Sequence, residues 1–153
     1  MRSEKGPAFA WKGVVPKTAG RPERILVVED DVPIALMIVS ILADEGYEVD
    51  MARNGRLALE KIESKEYDLV LSDLRMPELD GVGLYREIER RQPELLRRVI
   101  IITGTSSHPD YQAFLGETRV PVLEKPFSLS ALEAIASEVL AAAAKPAAQS
   151  PQR

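Results

Sequence analysis

Short apolar runs alternate with amphipathic segments along residues 24–143. The first run, residues 25–28, is followed by apolar side chains at helical spacing, namely Ile34, Met37, Ile38, Ile41 and Leu42. Pro33 suits the first turn of such a helix, and Gly46 suits its end. A strand followed by a helix is therefore predicted for residues 25–46, and the same alternation recurs four more times.

The other strands are predicted near residues 47–51, 69–71, 99–102 and 121–123, with helices after each of them. The last helix has an apolar stripe at Leu129, Leu132, Ile135, Ala136, Val139 and Leu140, and Ser128 is its predicted cap. Short links between strands and helices favour a parallel sheet covered on both faces, and strands one and four are apolar enough to be central. The predicted fold class is α/β, a doubly wound five-stranded parallel sheet.

The ends of the chain differ from this body. Residues 1–23 mix Pro, Gly, Lys and Arg, carry five basic and two acidic side chains, and predict a flexible basic leader. Phe9 and Trp11 are interpreted as incidental aromatic residues of that leader, with docking on the body or on a partner as the alternative. Residues 144–153 predict a disordered tail.

Composition excludes several classes of site and partner. The 153 residues include no cysteine and one histidine, His108, which excludes disulfides and thiolate sites and argues against a Ser/His/Asp triad. Residues 24–143 hold 13 basic and 22 acidic side chains, a net charge of −9 that predicts no binding to nucleic acid. Neither a signal peptide nor an apolar run of about 20 residues is evident, so the sequence predicts a cytoplasmic protein without a membrane span.

Polar residues follow four of the five predicted strands. They are Glu29, Asp30 and Asp31 after the first strand, Asp73 after the third, Thr103 after the fourth and Lys125 after the fifth. Since the carboxyl ends of parallel strands form one edge, these groups should lie together. Crowded carboxylates favour a cation, and oxygen ligands without His or Cys favour Mg²⁺. A carboxylate nucleophile with a metal, a hydroxyl and an ammonium group is also suited to phosphoryl transfer.

Taken singly, each of these residues is also explained by turns and caps, Asp31 as the cap of the first helix. Their order along the chain is more specific. The relevant segments are 25–31 (Ile-Leu-Val-Val-Glu-Asp-Asp), 71–81 (Leu-Ser-Asp-Leu-Arg-Met-Pro-Glu-Leu-Asp-Gly), 102–104 (Ile-Thr-Gly) and 124–127 (Glu-Lys-Pro-Phe). This ordered set resembles the receiver domain of two-component response regulators over about residues 24–142, so residues 24–143 are expected to form a receiver domain.

The resemblance implies a flavodoxin-like sheet of strand order 2-1-3-4-5 and a role for each matching residue. Asp73 is implied as the phosphoacceptor and as a ligand of Mg²⁺, which Asp30 would bind directly and Glu29 through water. Arg75 would offer its backbone carbonyl to the metal. Thr103 and Lys125 would contact the phosphoryl group, and the bond between Lys125 and Pro126 is expected to be cis.

The function implied is that of a receiver phosphorylated by a histidine kinase or a histidine phosphotransfer protein. It would signal to a protein partner by a conformational shift, as a monomer or a phosphorylation-dependent dimer, without a DNA-binding output domain. It would not be an enzyme beyond promoting its own phosphotransfer and autodephosphorylation. Alternatives are the receiver segment of a hybrid sensor kinase, a phosphate sink, an unphosphorylated scaffold and, disfavoured by Arg75 where a second Asp is needed, an aspartyl-phosphate phosphatase.

One position departs from the family. Receivers often have an aromatic residue three positions before the lysine, whose rotamer change reports phosphorylation, and here that position is Val122. A small branched side chain cannot swing in that way, so the coupling should differ. Tyr111, Phe114 and Phe127 are the predicted substitutes.

Overall fold

A computed structural model describes residues 21–144 of the chain. Five parallel strands form one sheet in the order β2-β1-β3-β4-β5. The strands are β1 (Arg24–Val28), β2 (Glu48–Ala52), β3 (Leu69–Asp73), β4 (Val99–Thr103) and β5 (Val122–Glu124). The predicted flavodoxin-like fold and strand order are confirmed, and β1 and β4 each lie between two neighbouring strands.

Within residues 21–144, five α-helices connect and cover the strands. They are α1 (Val32–Asp44), α2 (Gly55–Ser64), α3 (Gly81–Arg91), α4 (Pro109–Thr118) and α5 (Leu129–Ala144). A 3₁₀ helix at Pro93–Arg98, which the sequence pattern did not predict, leads into β4. The side chains of Asp31, Asn54 and Asp80 cap the first three helices by accepting a backbone N–H bond.

The sheet separates two hydrophobic layers. Helices α1 and α5 pack on one face, where Ile38, Leu42 and Leu132 are fully buried. Helices α2, α3 and α4 pack on the other face, around residues such as Leu84 and Ile88. Because successive residues of a strand point to opposite faces, β1 supplies Ile25 and Val27 to the first layer and its alternate residues to the second.

Two residues of the predicted apolar stripes are not in the core. Met37 is 46% exposed, because the face of α1 turned to the sheet is centred on Ala35, Ile38 and Leu42. Leu129 is 54% exposed, because it is the first residue of α5, where the helix only begins to cover the sheet. These two side chains therefore belong to the apolar stripes of their helices without contributing to the core.

The predicted leader and tail lie outside the described residues, apart from residues 21–23 and 144. Between residues 21 and 144, none of the helices combines the length and the hydropathy that crossing a membrane requires.

Candidate functional site

Three carboxylates meet at the carboxyl edge of the sheet. Glu29 directly follows β1, and its backbone N–H is fixed at 3.0 Å from the carbonyl of Ala52 in the neighbouring strand. Asp73 is the last residue of β3, beside β1 in the sheet. One carboxylate oxygen from each of Glu29, Asp30 and Asp73 lies within 4.8 Å of the others. The sequence predicted this cluster, and the structure brings it together.

Lys125 joins two of these acids across the sheet. Its Nζ lies 2.9 Å from Glu29 Oε1 and 3.1 Å from Asp73 Oδ2. Its backbone N–H donates to the carbonyl of Thr103 at 3.0 Å, so the residue is held to the end of β4. The bond between Lys125 and Pro126 is cis, as the resemblance implied. One ammonium group therefore serves two buried carboxylates contributed by different strands.

Backbone N–H groups orient the remaining oxygens of both acids. Asp31 donates its N–H to Glu29 Oε2 at 3.1 Å, and Leu74 donates its N–H to Asp73 Oδ1 at 2.7 Å. Glu29 is 3% exposed and Asp73 is 8% exposed, whereas Asp30 is exposed to solvent. Two acids of the cluster, Glu29 and Asp73, are therefore buried and held by hydrogen bonds, and the third, Asp30, is open to solvent.

The charges in this cluster are not balanced. Burial raises the pKa of the Glu29 carboxyl, the negative charge of Asp73 adds to that rise, and the hydrogen bond from Lys125 opposes it. Burial alone would lower the pKa of the Lys125 ammonium, but its bonds to Glu29 and Asp73 outweigh burial and raise that pKa. Two carboxylates with a single cation leave net negative charge, which is increased by Asp30.

The cluster suits a hard divalent cation. Carboxylate oxygens are the ligands that Mg²⁺ prefers, and the ion usually retains several waters beside one or two protein carboxylates. Asp30 lies close to both buried acids and is exposed to solvent, so an ion bound by the three could keep water ligands on that side. Glu29, Asp30 and Asp73 therefore form a donor set that fits Mg²⁺ in its chemistry and spacing.

Thr103 is at the same edge but is turned toward its own loop. Its Oγ1 accepts the backbone N–H of Thr105 at 3.0 Å and lies 2.8 Å from the hydroxyl of Thr105, with either group able to donate. Thr103 is 1% exposed. The pattern of strand ends located Thr103, but it carried no signal for this pairing with Thr105.

Gly81 also belongs to the site, and the sequence pattern did not identify it as a site residue. A Cβ at this position would lie 2.3 Å from the backbone carbonyl oxygen of Asp73, and the Gly81 N–H donates to the carbonyl of Leu74 at 2.8 Å. Any larger residue would push the start of α3 away from the end of β3. The adjacent Asp80, which caps α3, is the sequence signal that marks this turn.

Arg75 lies in the loop between β3 and α3, two residues beyond Asp73, with its side chain exposed. The role predicted for its backbone carbonyl, as a metal ligand, stays a prediction. Val122, at the position where an aromatic side chain was expected, is half-buried in β5.

The arrangement of strand order, acid cluster and bridging lysine agrees with a comparison of the sequence with protein families. The family model described as the response regulator receiver domain matches residues 25–137. The chain belongs to this family. The recognition of a receiver domain of two-component signalling, made from the ordered segments, is therefore confirmed.

Curated relatives include proteins much longer than this chain. The transcriptional regulatory protein ZraR of Klebsiella oxytoca is 37% identical over 123 residues, which cover 80% of this chain and 27% of that protein. The receiver therefore corresponds to about a quarter of the length of this relative.

Solved structures of receivers are similar to the whole domain. A CheY-like receiver domain protein from Methanospirillum hungatei JF-1 has a TM-score of 0.73 at 28% identity, covering 80% of this chain and 96% of that chain. The receiver domain of the sensor histidine kinase PA1611 from Pseudomonas aeruginosa PAO1 has a TM-score of 0.71 at 29% identity, covering 78% and 98%. That structure holds a magnesium ion in its active site cleft.

Proposed function

We propose that this receiver accepts a phosphoryl group on Asp73 from the phosphohistidine of a histidine kinase or a histidine phosphotransfer protein. The observation that carries the proposal is the position of Lys125, whose ammonium lies within hydrogen-bond distance of both Asp73 and Glu29. A cation beside the nucleophile stabilises the charge that spreads over the phosphoryl oxygens during transfer.

The transfer is a direct displacement at phosphorus. An oxygen of the Asp73 carboxylate forms the new bond to phosphorus while the bond between phosphorus and the donor imidazole breaks. The imidazole leaves with the electron pair of that bond and takes up a proton. Lys125 neutralises one phosphoryl oxygen, and the hydroxyl of Thr103 donates a hydrogen bond to another.

We infer that Glu29, Asp30 and Asp73 hold Mg²⁺, with Asp30 as a direct ligand, Glu29 acting through water and the carbonyl of Arg75 completing the protein ligands. When bound, the ion supplies positive charge that offsets repulsion between the phosphoryl group and the carboxylates. The spacing of the three acids supports this assignment, and so does the magnesium ion in the PA1611 receiver.

The proposed signal starts at Thr103. Its hydroxyl is paired with that of Thr105 in this structure, and Thr103 has a single proton to donate. Donation of that proton to a phosphoryl group on Asp73 requires Thr105 to be the donor in the pair. Phe114 is buried edge-to-face against Tyr85, with ring centroids 5.2 Å apart, so it is held more firmly than the half-buried Tyr111. Of these two predicted substitutes for the aromatic residue at 122, Tyr111 is thus the better candidate to move, and Phe127 is half-buried like Tyr111.

The proposed output is a protein partner. Acidic side chains outnumber basic ones in residues 24–143, and phosphate contacts need clustered Lys and Arg, so this domain should not bind DNA. A salt-sensitive shift of the protein with duplex DNA would contradict that part. We also propose a cytoplasmic location, no activity on a separate substrate, and a monomer that can dimerise on phosphorylation.

A second candidate is the receiver segment of a hybrid sensor kinase, or a phosphate sink in a relay. The similarity to the receiver of sensor kinase PA1611 favours it. Rapid return of the phosphoryl group from Asp73 to a histidine phosphotransfer protein would support this role over that of a receiver signalling to its own target.

The proposal is tested with phosphoramidate, a small donor with the same phosphorus–nitrogen bond as phosphohistidine. The protein is incubated with phosphoramidate and Mg²⁺, reduced with borohydride, which converts an aspartyl phosphate to homoserine, and mapped by peptide mass spectrometry. Conversion at Asp73 alone is expected, and it should be lost without Mg²⁺. Conversion at another acid, or unmodified protein at every donor concentration, would refute Asp73 as the phosphoacceptor.

A further inference from the structure

The large apolar side chains left exposed between residues 21 and 144 lie in one part of the molecule. Val32, Leu36 and Met37 are on α1, and Leu129 is the first residue of α5. These two helices share one layer of the fold. We call the surface formed by these four residues the α1–α5 face.

An apolar cleft opens on this face beside the acid cluster. Its volume is about 420 Å³, within the range of ligand pockets, roughly 300–1,000 Å³. It is lined by Ile34, Met37, Lys125, Pro126 and Phe127. A large apolar side chain would find both volume and apolar walls there, and the lysine that bridges Glu29 and Asp73 forms one of those walls.

The charged side chains of the two helices are all acidic. Neither α1 nor α5 contains a Lys or Arg residue, and Asp30 and Asp31 are exposed at the start of α1. Slight burial and the adjacent carboxylate of Glu45 both raise the pKa of Glu133 on α5, which shows like charges close together. An occupant of this face should therefore be apolar at its centre and basic around it.

A segment of the chain with this chemistry lies outside the described residues. Residues 1–20 contain four basic side chains and one acidic one, and Phe9 and Trp11 flank Ala10 within them. Trp11 and Arg21 are ten positions apart, a length of chain that can span about 33–36 Å, and Arg21 is bonded to Asp68 before β3. The 13-residue α1, which runs between the two edges of the sheet, is only about 20 Å long.

We propose that the basic leader folds back onto its own domain, with Trp11 or Phe9 in the cleft between Met37 and Phe127 and the leader's basic residues beside Asp30, Asp31 and Glu133. A buried aromatic side chain supplies a large apolar contact, and opposite charges fix its approach. The proposal thus favours docking on the body, the alternative left open for these two aromatic residues, over their interpretation as incidental.

This docking has a consequence for the site that rests on the proposed function. Lys125 lines the cleft and also holds Asp73, so an occupant of the cleft and a phosphoryl group share one side chain. Occupation of the acid cluster by Mg²⁺ and beryllofluoride, a stable mimic of the phosphoryl group, should therefore change the environment of the docked aromatic residue.

Trp11 is the only tryptophan of the chain, so its fluorescence reports the leader directly. The emission maximum and acrylamide quenching are measured for the full chain, for Met37→Lys and Leu36→Lys on the α1–α5 face, and for Ala113→Lys, an exposed control on α4 in the opposite layer. The circular dichroism spectra of both α1 variants should match that of the parent, since both α1 side chains are exposed and their replacement should leave the fold intact.

We expect shielded, blue-shifted emission in the parent and in Ala113→Lys, and a red shift with stronger quenching in both α1 variants. Equal quenching in the parent and the α1 variants would overturn the proposal, and so would shielding lost on dilution, which indicates a second copy. These measurements need no phosphoryl mimic. A docking signal without a response to Mg²⁺ and beryllofluoride would therefore overturn the coupling through Lys125 and leave the docking supported, while phosphorylation of Asp73 is tested separately by the reaction with phosphoramidate.

Discussion

Asp68 and Asp73 lie at opposite ends of β3, and both are buried carboxylates, 4% and 8% exposed. Asp68, just before the strand, accepts the backbone N–H of Arg24 at 2.8 Å and the guanidinium of Arg21 at 3.2 Å. Asp73, the last residue of the strand, also accepts a backbone N–H, that of Leu74 at 2.7 Å, but it shares the single ammonium of Lys125 with the buried Glu29. The same residue type on the same strand is thus well compensated at one end and poorly compensated at the other.

The difference separates a structural acid from a reactive one. A buried charge that faces no second buried acid, and that has a cation and a backbone donor beside it, stabilises the fold, and removal of that charge deprives both donors of a buried acceptor. A buried charge that shares its cation with another acid is held in place by the rest of the fold and retains affinity for an added cation or an electrophile. Such local conflict is expected where function rather than stability has determined the residues.

The largest change in stability is expected for Asp68, the acid at the well-compensated end of β3. Asp68→Ala should lower the free energy of unfolding by about 3 kcal/mol, because Arg24 N–H and the Arg21 guanidinium lose a buried acceptor. Urea denaturation measures it. The control is Glu66→Ala, whose exposed carboxylate lies 4.0 Å from the same arginine and should change stability little. An equal loss of stability in both variants would contradict the interpretation of Asp68 as a structural acid.

Added Mg²⁺ should act only at the poorly compensated end. At ten times its dissociation constant the ion should stabilise the parent by about 1.4 kcal/mol, because it binds the folded cluster and not the unfolded chain. Asp30→Ala should lose most of this gain. Asp31→Ala, which removes the adjacent cap of α1, should keep it. Thermal unfolding with and without Mg²⁺ provides the comparison, and an undiminished gain in Asp30→Ala would contradict the metal assignment.

Asp50 on β2 extends the comparison to pH. Burial alone would raise the pKa of Asp50, but the hydrogen bonds from Tyr67, at 2.6 Å, and Lys65, at 2.9 Å, outweigh burial and lower it. Its contribution to stability is therefore complete above the unfolded pKa, about 3.9, and is lost as pH falls through the lower folded pKa. Asp50→Asn should cost about 1 kcal/mol at neutral pH. The cost should vanish in strongly acid solution, and a cost independent of pH would be incompatible with this assignment.

The smallest change in stability is expected for Asp73→Asn. The substitution relieves repulsion with Glu29 while Lys125 keeps its bond to Glu29, so stability should change by less than about 0.5 kcal/mol or rise slightly. Chemical denaturation beside Asp68→Ala makes the comparison direct. A loss at Asp73 as large as that at Asp68 would show that both ends of β3 are structural.

The fold and the position of the site were predictable for one physical reason. Parallel strands place all their carboxyl ends at one edge, so residues as distant in sequence as Glu29 and Lys125 could be assigned to one cluster without knowledge of any contact. The strands β1, β3 and β4 were predictable because each is a short, continuous apolar run between amphipathic helical segments, a pattern typical of a strand that is buried on both faces.

The details that were missed depend on geometry that periodicity does not contain. The exposure of Met37 and Leu129 depends on how far each helix is rotated and where it begins to cover the sheet. The pairing of Thr103 with Thr105 is set by the loop after β4, and the contact of Gly81 with Asp73 is set by where α3 starts. None of these follows from the residue types alone.

The most direct test of the central claim measures reactivity and stability on the same two proteins. The parent and Asp73→Asn are incubated with acetyl phosphate and Mg²⁺, their intact masses are recorded, and their unfolding is compared. We predict the gain of one phosphoryl group in the parent alone, with nearly equal stability for the two proteins. A mass gain in both proteins, or a variant that loses the gain only because it unfolds, would contradict the claim that Asp73 is the reactive acid of this domain.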